Sequence, residues 1–289
     1  MSIYAVRRMR PTMQSMQSDS PHVNRRSFLK TGLGGAVGTL AALGSVSTAD
    51  SQNTDPMKDR PEVLFFDVNE TLLDLRPMKA SVSEALGGRE NLLPLWFTTM
   101  LQYSLVVTVA DRYANFIDIG IATLQMVAGS NGIRLSEADA RKAVEPMSSL
   151  PPHPEVSDAL RSLKNAGYRM FTLTNSSKAG ITTQMKNSGL GEFFADFLTV
   201  EEIGIYKPAT HVYRWAARRA GVKTQNCMLI AAHGWDVAGA LWADMRAAFL
   251  ARAGQQLYPL APEPEIIAPD LAKATEALVA ASSGSGGPR

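Results

Sequence analysis

Short apolar runs alternating with helix-patterned stretches constrain this chain more than any other feature. "YRMFTLT" (168–174), "FFADFLTV" (193–200), "NCMLIAA" (226–232) and "AAFLAR" (247–252) are strand-like, and between them the apolar residues recur at helical spacing. The predicted helices run over 155–166, from Ser177, over 209–220 and from Asp236. Strands that are apolar throughout are buried on both faces, and strands separated by helices pair in parallel with the helices as cover. An earlier run, Glu62–Phe66, has the same character. The fold class that follows is α/β, with a Rossmann-like parallel-sheet core.

From Pro77 to about His153 the strand signals fade. "LPLWFTTMLQYSLVVTVADRYANFIDIGIATLQMVAG" is helical in spacing, with breaks at "LGGREN" and "GSNG", and "LSEADARKAVEPM" opens a further helix with Ser136 as its N-cap. The reading is a helical cap at 77–153, inserted after the first strand of a core formed by 61–76 and 154–282. The first 49 residues are of another kind. Arg25 and Arg26 precede Phe28, Leu29 and Lys30, then a glycine-diluted apolar stretch that ends in Ser47-Thr48-Ala49. This order reads as an export signal and resembles a twin-arginine signal, which implies transport to the periplasm; a plain basic tail is the other reading. Thr31–Val46 is too short and too glycine-rich for a stable membrane span. Residues 50–60 read as a polar linker, and 283–289, within "SSGSGGPR", as a disordered tail.

Composition narrows the function classes. The 289 residues carry a net charge of +2, and beyond the N-terminus the basic residues are scattered, so no nucleic-acid surface is expected. The single cysteine, Cys227, lies inside an apolar run and reads as a core residue.

In parallel α/β sheets the reactive edge lies at the C-terminal ends of the strands. Asp67 follows "VLFF" directly, Thr174 and Asn175 close the second strand, and His233 and Asp236 follow "CMLIAA". Lys207 precedes Pro208 at a helix start. A carboxylate beside a fixed ammonium stays ionised, and an ionised carboxylate is a nucleophile. Where such a carboxylate forms an ester with its substrate, hydrolysis needs a base to activate water. An imidazole held by a carboxylate suits that task near pH 7, which points to His233 oriented by Glu70. Two plainer readings stand beside these: His233 as a helix cap, and Glu70 as a solvated loop residue. His153 and His211 read as surface residues.

"FFDVNETLLD", "TLTNSS", "YKPATHVY" and "HGWDVAGA", in this order and with a helical insertion after the first, resemble the haloacid dehalogenase superfamily. They are most similar to its type II L-2-haloacid dehalogenases. The resemblance covers about Glu62 to Ala280. It implies Asp67 as nucleophile with Thr71 supporting its loop, and Asn175, beside Thr174, helping to hold the departing halide. It further implies Lys207 and Tyr213 as the third motif and Asp236 as the acidic residue of the fourth. Val68 and Asn69 join the substrate-contacting loop, and Trp96, Phe97 and Tyr103 are candidates for an apolar cap wall.

Two departures stand out. Phe97 occupies the place of an arginine that type II members commonly carry, and Ala231 and His233 replace a serine and an asparagine. Asn69 stands where superfamily phosphatases place an acid, and an amide has no acidic proton to give. The expected chemistry is therefore hydrolysis of a small halogenated carboxylic acid by water, without cofactor or metal. The resemblance allows a homodimer. Two alternatives stay open: a magnesium-dependent phosphate-monoester hydrolase, and an exported binding protein without turnover.

Overall fold

Four consecutive apolar residues, Val63–Phe66, form strand β1, all fully buried, and everything else in the core is arranged around them. The computed structural model describes residues 60–283; the stretch read as an export signal, the linker before Arg60 and the tail beyond Ser283, which ends a helix, lie outside the described residues. After β1 come four helices, α1 (Arg76–Ala85), α2 (Leu93–Val109), α3 (Phe116–Ser130) and α4 (Glu137–Val144), and a 3-10 turn, Glu145–Ser149. Then the chain alternates: α5 (Val156–Asn165), β2 (Arg169–Thr174), α6 (Lys178–Ser188), β3 (Asp196–Thr199), α7 (Thr210–Ala220), β4 (Cys227–Ala231), α8 (Gly234–Trp242) and β5 (Arg246–Leu250). It closes with β6 (Ile266–Ala268) and α9 (Leu271–Ser283).

The six strands form one sheet of order β3-β2-β1-β4-β5-β6, every pairing parallel. The expected α/β class with a parallel-sheet core is what the chain adopts. β1 lies between β2 and β4, so the chain leaves it in one direction for β2 and β3 and returns to the other side for β4 to β6. That reversal opens a crevice at the C-terminal end of β1, the place where such sheets bind ligands. Phe66 pairs in register with Thr172 and with Ile230, which brings the residues after all three strands to one edge. Burying Phe65 and Phe66 contributes about 1.5–3 kcal/mol each, which ties that edge to the most stable part of the sheet.

Several expectations shift in detail. Ser136 and Ser177 do cap α4 and α6, each side chain accepting a backbone N–H three residues on. The helix expected from Asp236 starts two residues earlier, because Gly234 lets it begin against the loop behind it. An alanine Cβ at Gly234 would lie 2.1 Å from the Gln256 carbonyl oxygen. β6 and α9 went unread: β6 is only three residues long, and its central Ile267 is exposed. Segment Glu90–Val109 is long and apolar enough to cross a membrane, yet α2 within it packs Trp96, Met100 and Ser104 inward, mainly against α3.

Candidate active site

Asp67 sits one residue past β1 and is buried. Its Oδ1 accepts from Lys207 Nζ at 2.9 Å, and its Oδ2 accepts from the Thr71 hydroxyl at 2.7 Å. Thr71 in turn accepts from the backbone N–H of Ala232 at 2.9 Å, which joins the loop after β1 to the loop after β4. The Lys207 ammonium is fully engaged: besides Asp67 it donates to Asp236 Oδ2 at 2.6 Å and to the Leu173 carbonyl at 2.9 Å. Tyr213 donates its hydroxyl to Asp236. Gly239 makes this packing feasible, because a Cβ there would lie 2.6 Å from Pro208 and 2.7 Å from the Tyr213 hydroxyl.

His233 stands beside this group. Its Nε2 is 3.1 Å from Glu70 Oε2, and its Nδ1 lies 3.4 Å from Asp67 Oδ2 without a hydrogen-bond partner of its own. Phe97 and Trp235 stack on the imidazole, with ring centroids at 5.9 Å and 5.3 Å. Glu70 also accepts from Lys79 and Gln255, each at 2.9 Å. The Glu70 backbone has φ of 66°, a left-handed conformation that costs a non-glycine residue on the order of 1 kcal/mol. Its four partners, through side chain and carbonyl, hold it there: His233, Lys79, Gln255, and His153 Nε2 at 3.0 Å from the carbonyl. Glu70 is thus a buried ligand of His233, and His153 is a half-buried support of the same loop where a surface residue was expected. His211 is exposed, as expected.

The electrostatics follow from this packing. Burial would raise the Asp67 carboxyl, but Lys207 and His233 outweigh it and hold the carboxylate well below its usual range. Burial acts likewise on Glu70, and His233 and Lys79 overcome it, bringing the carboxyl down to about 2. For His233 burial disfavours the charge, yet the neighbouring carboxylates of Asp67 and Glu70 push it up to about 9. The two flanking carboxylates thus favour the charged form of the ring in the resting site. Burial and then Asp67 push Asp236 up, while Lys207, held by both carboxylates against its own burial, stays above its ordinary value.

A cavity of about 20 Å³ opens onto Asp67, Asn69, Thr174, Asn175, His233 and Trp235. Opposite them lie Leu75, Phe97, Met100, Leu101, Phe116 and Met147. Asn175 accepts from the Lys207 backbone N–H through Oδ1, which leaves its NH₂ group unengaged among the described residues. The Asn69 carbonyl oxygen accepts from Gln184 at 2.9 Å.

Not every expected residue reaches this cavity. Trp96 is buried against α3, its indole N–H donating to the Gly120 carbonyl at 2.9 Å, and Tyr103 is on the exposed side of α2. Only Phe97 of the three cap-wall candidates meets it, because one helical turn aims only some of its side chains inward. Val68 is a core residue, and Tyr213 stays behind Asp236 rather than facing the cavity. Sequence reasoning passed over Lys79, Gln255, Gln184, Phe116 and Met147. Only Trp235, inside "HGWD", carried a signal in its motif.

The parallel sheet, the helices inserted after its first strand and a buried carboxylate held by lysine at the sheet's reactive edge together have the form of a hydrolase site. Residues 61–244 match the haloacid dehalogenase-like hydrolases, and the chain belongs to that family. It is 26% identical over 203 residues to an (S)-2-haloacid dehalogenase of Pseudomonas sp. strain YL, covering 70% of this chain and 88% of that one. The fold is shared with an L-2-haloacid dehalogenase from Xanthobacter autotrophicus with chloropropionic acid covalently bound (TM-score 0.69, 21% identity, 74% of this chain and 97% of that one). It is also shared with a magnesium-bound HAD-hydrolase from Bacillus subtilis (TM-score 0.60, 18% identity, 76% and 99%). Magnesium does not suit the residues present here. Asp67 and Asp236 already share the Lys207 ammonium, and position 69 offers an amide oxygen taken by Gln184.

Proposed function

We propose that this protein hydrolyses 2-haloacids to 2-hydroxy acids through an ester on Asp67. The observation that carries the reading is the Asp67 carboxylate itself: ionised by Lys207, within 3.4 Å of an imidazole, and facing a cavity roofed by apolar side chains. The names of the relatives support the same chemistry.

A carboxylate oxygen of Asp67 attacks C2 and the carbon–halogen bond breaks, the halide leaving with its electron pair toward the Asn175 NH₂ group. Esterification removes the negative charge of Asp67, and with it one of the two carboxylates that keep His233 protonated. His233 then releases its proton to solvent and becomes the base that the second step needs. It takes a proton from water as the water oxygen bonds to the Asp67 carbonyl carbon. The bond from that carbon to the substrate oxygen then breaks, the leaving oxygen takes the proton from His233, and the Asp67 carboxyl returns its own proton to the ring, which restores the resting site and frees the hydroxy acid. Glu70 keeps its partner role throughout, so the ring stays oriented while its charge changes. Chloride release from L-2-chloropropionate, against phosphate release from a simple monoester, tests the proposal. Phosphate release without chloride release would overturn it.

The division into a core (61–76 and 154–282) and a cap (77–153), and export to the periplasm, belong to the same proposal. Export rests on Arg25 and Arg26 ahead of a short apolar stretch. Changing both to lysine should leave the precursor in the cytoplasm, and arrival in the periplasm regardless would refute the twin-arginine reading.

A further inference from the structure

The cavity at Asp67 measures about 20 Å³, room for about one water molecule and for no haloacid. Beside it lies a chamber of about 550 Å³, of the size that ordinarily holds a small-molecule ligand. The two share Phe116 and Met147 as a common wall. From behind, Gln184 donates to both Asn69 Oδ1 and the Met147 carbonyl, each at 2.9 Å, and so pins the backbone of that wall. What is left to move is side chain: the unbranched, adaptable Met147 and the ring of Phe116 at the start of α3.

The two spaces differ in chemistry. The Asp67 cavity offers polar groups from Asn69, Thr174, Asn175 and His233, suited to a halide and a carboxylate. The chamber presents Phe116, Ile117, Ile121, Val144 and Met147, with Arg141, Lys142 and Glu145 also among its lining residues. Arg141 is paired with Asp118 and Glu137, whereas the exposed Lys142 has no ion pair among the described residues, which leaves a cation to draw in anionic substrates.

Building on the dehalogenase reading above, we infer that the chamber receives the alkyl tail of the substrate, and that the protein prefers 2-haloacids whose C2 substituent is a chain of several carbons. C2, the halogen and the carboxylate occupy the polar cavity once Met147 and Phe116 turn aside, and the tail passes between them. The tail itself fills the opening it makes, so that a long substrate excludes water where a short one leaves the aperture open.

The test is bromide release by the full-length protein from (S)-2-bromopropanoate, -butanoate, -pentanoate and -hexanoate. Each added methylene should raise kcat/KM about fourfold, the factor that burying one methylene gives. Ile117→Trp, which fills the chamber, should lower the hexanoate-to-propanoate ratio about tenfold or more. The wild-type series stands without it if that variant does not fold, and unhalogenated hexanoate should compete against bromopropanoate far better than acetate does. Turnover of bromopropanoate with a flat or falling series overturns the chamber assignment alone. Bromide release from none of the four overturns the dehalogenase reading and the inference with it.

Discussion

On the sheet side of the cavity, Asp67, Lys207 and Asp236 direct their hydrogen-bonding groups at one another and are buried. On the helix side, Phe97, Met100, Leu101, Phe116 and Met147 meet it with carbon and sulfur. The polar floor is specified atom by atom: the Lys207 ammonium has three named acceptors, and removing one of its partners leaves another buried and unpaired. The apolar roof is specified by shape and volume, and neighbouring side chains can fill in for one another. A buried charge network tolerates little, and a packed apolar surface tolerates more. If that difference governs this protein, substitutions in the floor should cost orders of magnitude and substitutions in the roof should not.

The largest effect belongs to Asp67. Asp67→Asn keeps the shape and removes the nucleophile, so halide release should fall by about four orders of magnitude or more. A single turnover in H₂¹⁸O with enzyme in excess sharpens the point. Product should carry ordinary oxygen and Asp67 the label; label in first-turnover product would mean that water attacks C2 directly.

His233→Ala comes next. It should spare the first displacement and slow ester hydrolysis by about 10²–10⁴-fold, so the protein gains the mass of the substrate's carboxyalkyl group and retains it. Loss of both steps together would assign His233 to the floor's architecture rather than to the base role.

The same residues set a pH dependence of stability. The folded pKa of His233, about 9, lies above its ordinary 6.5, so its contribution is fully present below pH 6.5 and disappears as the pH rises through 9. The folded pKa of Glu70, about 2, lies below 4.5, so its contribution is present above pH 4.5 and is lost as the pH falls through 2. Thermal unfolding should therefore lose on the order of 3 kcal/mol between pH 6.5 and pH 9.5, and Glu70→Gln should flatten much of that slope. An unchanged slope would disconnect the pair.

How legible each side was follows from how it is specified. Asp67, Lys207, His233 and Asp236 stand at strand or helix ends that the alternating pattern already located, and charge chemistry allows few partners for each. The pairing of Glu70 with His233 could be anticipated because both follow neighbouring strands. The roof gave no such handle. Which face of α2 turns inward depends on the rotation of a helix that is apolar nearly all round, so Trp96 and Tyr103 were as eligible as Phe97. Gln255 reaches Glu70 from a loop without motif, placed there by the close approach of Gly234 to Gln256. Met147 and Phe116 acquire meaning only when the two cavities are seen to share them.

The smallest expected effect is the one that tests the roof. Phe97 occupies the place where type II relatives commonly carry an arginine, and here its ring lies against His233 opposite a hydrogen-bonded floor. Phe97→Leu removes one of the two rings stacked on the imidazole and leaves Trp235 on it. An aromatic contact of this kind is worth about 0.5–1.5 kcal/mol. The variant should therefore lose less than about tenfold in kcat/KM, with Met100 and Leu101 repacking toward the space. Its effect should appear mainly in ester hydrolysis, since the ring stacks on His233. A loss as deep as that of His233→Ala would mean that Phe97 is specified as tightly as the charges beneath it, and the contrast between floor and roof would not hold.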